Sequence, residues 1–313
     1  MGAADTVTKA YMRENAIFAD AFNYMIYGGR RVIDPNSLKE LDTTEIALPF
    51  GDDKTDEAVQ KYRDILKSAV IKEDKDAAYV LLGIENQTDI HYAMPVRNLI
   101  YDALQYGKQV SDVSAKHRKE SGNGHNRGEY LSGFYKEDRL TPVITLVVHF
   151  GADAWDGPLS LHEMMSVDKP EIMQMVPDYR IQLIDPARMK PEDLMKFETS
   201  LREVMGYIKY SKDKEGMKTY MAGNSRTMLE RTAAQVIKAI TNTPIEIPEG
   251  LEEVNVCEAI EEMMKDSKAE GELKGKMDTL AGLVKDGLLS VKDAAARLNM
   301  TEAEFEAAMK KLV

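Results

Sequence analysis

Cysteine is nearly absent from this 313-residue chain, and histidine is scarce. The single cysteine, Cys257, excludes an internal disulfide, and the five scattered histidines add no cluster of the kind that holds structural zinc. A lone thiol is typical of proteins from a reducing compartment, so we expect a cytoplasmic location.

Long apolar runs are also missing. No stretch approaches the roughly 20 consecutive apolar residues that a membrane-spanning helix needs. Residues 1–15 contain no apolar core of the kind found in secretory signal peptides. We therefore expect no membrane partner.

Positive charge is in short supply: 41 basic residues face 53 acidic ones, and the net charge of −12 argues against strong non-specific affinity for DNA. The charge is unevenly spread, since residues 246–276 hold ten acidic and four basic residues while residues 108–127 hold five basic and two acidic ones. We predict that the basic segment contacts DNA phosphates through Lys116, Arg118, Lys119 and Arg127. The alternative is an exposed loop whose charges only solvate it.

Two acidic residues fall on neighbouring strands of a predicted β-hairpin. Asp64 lies in a first strand near 61–71, and Glu85 lies at the end of a second strand near 77–85. A turn centred between residues 74 and 75 places Asp64 opposite Glu85, where Cβ atoms are about 4.5–5.5 Å apart. The sequence therefore predicts a close pair of carboxylates.

Such a pair indicates a metal site, because carboxylates this close repel each other unless a cation or a proton lies between them. A hard divalent ion such as Mg²⁺ takes one or two carboxylates plus water and substrate phosphate, which is the minimal site for phosphodiester hydrolysis. The apolar run 79–84 favours this interpretation, since a charge at the end of a buried strand is rarely idle. The alternatives are a solvated surface pair and a register shifted by one residue.

These carboxylates belong to an ordered series of motifs. From about residue 18 to residue 165, the chain resembles the Rpn family of recombination-promoting, transposase-like nucleases in the PD-(D/E)XK superfamily. The segments that carry the resemblance are 18–23 (FADAFN), Asp64, 83–87 (GIENQ), 94–97 (MPVR), Tyr101-Asp102, 132–134, 142–147, 155–158 and 160–164.

The resemblance implies a role for each matching residue. Asp64 and Glu85 are implied as the ligands of Mg²⁺, with Mn²⁺ as the alternative ion, and the Asn86 backbone carbonyl as a third ligand. Gln87 stands where the superfamily commonly has lysine; its amide can position a water molecule but carries no charge. Asp20 matches an acidic position on the first helix that approaches the metal through water.

The predicted fold class is α/β, with a restriction-endonuclease-like core of mixed sheet flanked by helices and a helical C-terminal extension. Apolar spacing predicts helices over 9–27 and 91–106. We expect a nuclease-like core over 1–165, a helical and strand extension packed on it over 166–243, and an acidic helical tail over 244–313.

The tail ends in two short predicted helices, 294–298 and 305–312, joined by a turn at Asn299-Met300. The pair resembles part of a helix-turn-helix, but its second helix opens with acidic residues, whereas DNA-reading helices are normally basic. We favour a packing or homodimerisation role.

Three functions compete at this point. The first is a Mg²⁺-dependent DNA endonuclease acting in recombination. The second is a catalytically weak or inactive nuclease fold that serves as a DNA- or protein-interaction module, an alternative motivated by Gln87 and the acidic tail. The third is an acidic helical scaffold, which explains the tail but not the hairpin.

Overall fold

The computed structural model of the protein describes residues 2–42, 44–47, 59–62, 64–73, 76–120 and 126–311. The described chain forms two compact units, one of residues 1–242 with 247–254 and the other of residues 243–246 with 255–313. Residues 166–242, predicted as an extension, therefore fall in the same unit as residues 1–165. The division into core, extension and tail stays a prediction.

A mixed sheet organises the first unit. Within the described residues it has five strands in the order β1-β4-β5-β6-β7, with antiparallel pairing from β1 to β5 and parallel pairing from β5 to β7. Two further sheets have two strands each: β2 pairs with β3 in antiparallel orientation, and β8 pairs with β9. The strands are β1 Lys39–Glu40, β2 Thr44–Ala47, β3 Val59–Tyr62, β4 Ile65–Glu73, β5 Asp76–Gln87, β6 Val143–His149, β7 Gln182–Ile184, β8 Met228–Glu230 and β9 Glu253–Asn255.

Helices flank this sheet, which gives the α/β fold expected of a PD-(D/E)XK-like core with a helical extension. The helices of the first unit are α1 Ala3–Arg13, α2 Asn15–Tyr27, α3 Met94–Glu120, α4 Arg127–Ser132, α5 Pro170–Met173, α6 Pro191–Leu194, α7 Leu201–Tyr210, α8 Lys214–Gly223 and α9 Arg231–Thr241.

The prediction of a single helix over 9–27 is wrong, because the chain forms two helices there, α1 and α2. Glu14 has an extended backbone (φ −61°, ψ 126°) that interrupts the helical hydrogen bonds between them. α2 ends as expected at Gly28, whose left-handed conformation (φ 64°) lets its N–H bond the carbonyl of Tyr24.

The hairpin of β4 and β5 has the predicted register. Ile65 pairs with Ile84 and Glu73 pairs with Asp76, so a turn centred between residues 74 and 75 follows, although those two residues lie outside the described part. Carried one position beyond the first pair, the same register sets Asp64 across from Glu85.

The two faces of this hairpin meet different helices. Lys67 contacts Arg13 and Asn15 at the junction of α1 and α2, whereas Glu85 contacts Arg97 of α3. Lys67 pairs with Leu82, and residues 82 and 85 point to opposite faces because side chains alternate along a strand. The sheet is thus enclosed between α1–α2 and α3.

α3 is much longer than the helix predicted over 91–106. It begins at Met94, with Pro95 in the first turn, where the missing N–H costs nothing, and it runs on to Glu120. A buried network fixes it to the sheet, since the Asp102 carboxylate accepts hydrogen bonds of 2.6 Å from the hydroxyls of Thr145 and Tyr179.

The second unit contains α10 Val256–Lys285, α11 Val291–Arg297 and α12 Glu302–Lys311. The apolar faces of α11 and α12 pack against the end of α10 around the buried Phe305. The predicted turn is confirmed: Asn299 has a left-handed conformation (φ 52°), and Thr301 caps α12 through a reciprocal bond with Glu304.

Across the described residues, no helix combines the length and the apolar character required to span a bilayer.

Candidate functional site

Two hydrogen bonds join Asp64 to the end of β5 at Glu85 and Asn86. Asp64 occupies the bend immediately before β4, and its N–H donates to Glu85 Oε1 at 3.3 Å. In return, Asp64 Oδ2 accepts the Asn86 N–H at 2.9 Å. The two carboxylates that the sequence predicts as a pair therefore share one local network at the ends of two core strands.

Each carboxylate also has a cationic partner. Lys9 of α1 lies 3.0 Å from Asp64 Oδ1, and Arg97 of α3 lies 3.0 Å from Glu85 Oε2. One cation precedes the hairpin in the sequence and the other follows it, and together they offset the repulsion that two neighbouring carboxylates would otherwise suffer.

The ion pairs alter the ionisation of both cations. Burial lowers the pKa of Lys9, but its bonds to Asp5 and Asp64 outweigh that effect and raise the pKa above its ordinary value. Burial also lowers the pKa of Arg97, but the attraction of the Glu85 carboxylate outweighs this effect. The pKa of Arg97 is therefore raised above its ordinary value. Both groups therefore remain positively charged across the physiological range.

Burial makes the Glu85–Arg97 pair a structural necessity. Glu85 is fully buried, and a buried carboxylate is costly unless it is paired and hydrogen-bonded. Tyr101 holds the guanidinium in place, because its hydroxyl oxygen accepts a 3.1 Å bond from Arg97 Nε.

A polar cavity of about 260 Å³ opens beside the pair. Its lining includes Lys9, Asp64, Asn86, Gln87 and Arg97. Asn86 is only 4% exposed, and neither polar atom of its side-chain amide has a hydrogen-bond partner among the described residues. A buried amide left unpaired costs about 1–3 kcal/mol.

Gln87, at the third motif position, brings no charge to the cavity. Gln87 Nε2 donates to the Asn86 carbonyl oxygen at 2.9 Å, so the amide group folds back on its own strand. That carbonyl is the one implied as a metal ligand, and it retains a second lone pair.

The donor set fits a hard divalent ion. Asp64 and Asn86 line the polar cavity and the buried Glu85 adjoins it through them. Carboxylate and carbonyl oxygens are the ligands that Mg²⁺ or Mn²⁺ takes, with water completing the shell. Within the described residues, no group of three or more histidine, cysteine, aspartate or glutamate side chains is arranged to hold a metal ion.

Asp20 has a different set of partners. Its carboxylate accepts hydrogen bonds from the backbone N–H groups of Glu198 and Thr199 and from the Thr199 hydroxyl, and so joins α2 to the segment before α7. Burial raises the pKa of Asp20, although the bonds from Thr199 oppose this effect. None of these contacts reaches the carboxylate pair, and its metal role stays a prediction.

The predicted DNA contacts do not border the cavity. Three of them lie in the last turns of α3, and Arg127 begins α4. Lys116 lies nineteen positions after Arg97 on the same helix, which is roughly 30 Å along the helix axis. Lys116 is exposed and faces Glu120 at 3.9 Å. Their contact with DNA stays a prediction.

Sequence reasoning missed the two cations of the site. Arg97 falls inside a quoted motif, but its spacing from Glu85 carries no signal of an ion pair. Lys9 is four residues from Asp5, which indicates a helical salt bridge, whereas its contact with Asp64 spans 55 positions and has no local signature.

Comparison with known proteins identifies the family but no individual relative. Residues 35–235 match the family model described as "Putative transposase, YhgA-like". No curated protein and no solved structure matches the chain. The matched segment contains the hairpin, its carboxylate pair and α3, and it covers well over half of the chain. The resemblance drawn from the motifs is therefore confirmed: the chain belongs to the YhgA-like family of transposase-type proteins.

Proposed function

We propose that this protein is a metal-dependent DNA endonuclease of the recombination-promoting type, which hydrolyses phosphodiester bonds at the Asp64–Glu85 pair. The observation that carries the proposal is the pair itself: the Glu85 carboxylate accepts the Asp64 N–H and the Asp64 carboxylate accepts the Asn86 N–H, beside a polar cavity. Membership of a transposase-type family supports a role in breaking DNA.

Asp64, Glu85 and the Asn86 carbonyl would hold the ion, which is Mg²⁺ or alternatively Mn²⁺. When bound, such an ion supplies Lewis acidity to a phosphoryl oxygen and lowers the pKa of a coordinated water. The chain's own groups do the rest. Arg97 pairs with the buried Glu85, and Gln87 lies at the cavity wall, where its amide oxygen can accept a hydrogen bond from water.

The basic end of α3 is proposed as a second contact with DNA. Its distance of roughly 30 Å from Arg97 is close to one turn of B-form DNA, about 34 Å, so a duplex running along α3 could touch both ends. The acidic net charge means that these few basic residues must supply a large part of the attraction.

Cleavage of supercoiled plasmid tests the proposal. With Mg²⁺ or Mn²⁺, the wild-type protein should nick or linearise the plasmid, and Asp64→Asn and Glu85→Gln should each lower the rate by at least about 100-fold. Both substitutions keep side-chain size. The exposed α3 residue Asp112 offers the matched control, since Asp112→Asn removes one charge away from the pair. Equal activity of all four proteins would remove the assignment.

One observation favours a second candidate, a nuclease fold that binds DNA or protein without turnover. Gln87 brings no charge to the third motif position and bonds its own strand instead. This function predicts DNA binding with no cleavage under any divalent ion. The plasmid assay, run beside a DNA-binding assay, therefore separates the two candidates.

Homodimerisation through the C-terminal helices belongs with these proposals. Leu288, between α10 and α11, is 73% exposed and offers a position at which this contact can be tested. Light scattering of the wild type and Leu288→Glu should give a dimer and a monomer respectively. Identical masses would argue against this contact.

A further inference from the structure

We propose that Lys9 supplies the positive charge that this chain lacks at position 87, and that its ammonium binds the phosphate of the DNA being cut. The inference rests on the proposed function and deepens it. It concerns a residue outside the segment 35–235 that matches the family model.

The position of Lys9 carries the argument. Its ammonium lies 3.0 Å from Asp64 Oδ1 and lines the same cavity as Gln87 and Asn86. A phosphate that approaches Asp64 must therefore approach Lys9.

The other polar groups of the cavity cannot take this role as readily. Gln87 is uncharged, and its amide nitrogen is occupied by the Asn86 carbonyl. Arg97 is committed to Glu85, which is fully buried, and is held there by Tyr101. Moving Arg97 towards a phosphate would leave Glu85 without this cation.

Lys9 is held firmly enough for the purpose. Asp5, one helical turn earlier on α1, lies 3.0 Å from the ammonium and fixes its direction. α1 itself is anchored by Tyr11, which is fully buried and hydrogen-bonded to Ser200 at 2.9 Å. The charge is therefore preorganised before DNA arrives, as electrostatic stabilisation of a phosphoryl group requires.

The ammonium acts as a fixed charge and not as a base. Asp5 and Asp64, each with a carboxylate oxygen 3.0 Å from the ammonium, favour its charged form. A permanent cation beside the attacked phosphate stabilises the charge that builds up on its oxygens, which is the contribution expected from lysine at the third motif position.

Three variants test the assignment: Lys9→Met, Lys9→Arg, and Lys9→Met combined with Gln87→Lys. The matched control is Lys218→Met, which removes another helical lysine paired with a nearby acid, Glu215. Lys9→Met should cut plasmid about 100-fold more slowly than wild type. Lys9→Arg should retain most of the rate, and Gln87→Lys should restore activity to the Lys9→Met protein.

A second readout does not depend on cleavage. The affinity for a fluorescent 20-base-pair duplex, measured without divalent ions over a range of KCl concentrations, should show a salt slope smaller by about one in Lys9→Met than in wild type and Lys218→Met. Calorimetric Mn²⁺ affinity should not fall in Lys9→Met, because Lys9 is not a ligand.

Each failure has a distinct signature. An unchanged salt slope in Lys9→Met overturns the inference whether or not the wild type cleaves DNA. The inference is also overturned if Gln87→Lys does not restore plasmid cleavage to the Lys9→Met protein. An unchanged thermal midpoint must first show that the Lys9→Met protein is folded. Loss of cleavage in every protein, including wild type, with the slope change intact would instead sink the proposed function and leave Lys9 as a phosphate contact.

Discussion

The two faces of the β4–β5 hairpin handle buried charge in opposite ways. On the face towards α1 and α2, Lys67 is 1% exposed, bonds the Arg13 carbonyl and Asn15, and lies 4.9 Å from the centre of the Phe18 ring. On the face towards α3, Glu85 is equally buried, but it is paired with Arg97 and adjoins a cavity through its neighbours.

The difference separates structure from function. Lys67 is satisfied by neutral oxygens and an aromatic ring, and burial lowers its pKa, so its surroundings favour loss of charge. At the end of the hairpin that holds Asp64 and Glu85, each of the two carboxylates is paired with a cation beside a polar cavity. Only the second arrangement offers charge to a ligand, and four substitutions can test this contrast.

The largest effect on stability should come from Arg97→Met. It would deprive the buried Glu85 of its cation, and breaking a buried pair from one side costs about 3 kcal/mol. Urea denaturation measures the loss. Adding Glu85→Gln to Arg97→Met should recover part of it, because the remaining side chain is neutral. A loss below about 1 kcal/mol would mean that the pair is not structurally coupled.

Asp20→Asn should cost somewhat less, about 2 kcal/mol, because hydrogen bonds from Glu198 and Thr199 to a carboxylate would weaken. Since these contacts do not reach the carboxylate pair, calorimetric Mn²⁺ affinity and plasmid cleavage should stay at wild-type levels. A fall in Mn²⁺ affinity would restore Asp20 as a metal ligand.

Lys67→Met should change stability by no more than about 1 kcal/mol. The variant loses two hydrogen bonds to neutral oxygens, but it also avoids the cost of burying an ammonium group. Thermal unfolding and plasmid cleavage should both resemble those of wild type. Loss of cleavage in a folded Lys67→Met protein would break the distinction between the two faces.

The smallest effects should appear as opposite alkaline dependences. The pKa of Lys9 is raised above 10.5, so its contribution to stability is complete below 10.5 and disappears as pH rises through the folded value. The pKa of Lys67 is lowered below 10.5, so the folded state loses that proton first, and stability rises with pH between the folded value and 10.5.

Unfolding free energies measured across the alkaline range should therefore diverge in the two variants. Lys9→Met should lose part of the decline seen in wild type above 10.5. Lys67→Met should lose the increase in unfolding free energy that wild type shows as pH approaches 10.5. The same alkaline profile in both variants would contradict the assigned environments.

The hairpin could be predicted from sequence because its determinants are local. The apolar run 79–84 identifies a buried strand, and the short connection between the strands fixes the register that sets Asp64 across from Glu85. The family motifs then identify both residues as candidates for one site, and the fold class follows from the order of helices and strands.

The length of α3 and the cations of the site could not be predicted, because they depend on contacts between distant segments. α3 continues past Tyr106 because Gln109 exchanges two hydrogen bonds with the backbone of Thr141, and His117 pairs with Asp138. No local pattern marks these partners. The same holds for Lys9 and Asp64.

Calorimetric titration of Mn²⁺ into wild type and Asp64→Ala tests the central claim most directly. The arrangement of Asp64 and Glu85 predicts one saturable site in the wild type and its loss in a variant that remains folded. Equal Mn²⁺ binding by both proteins would contradict a metal site at this pair of carboxylates.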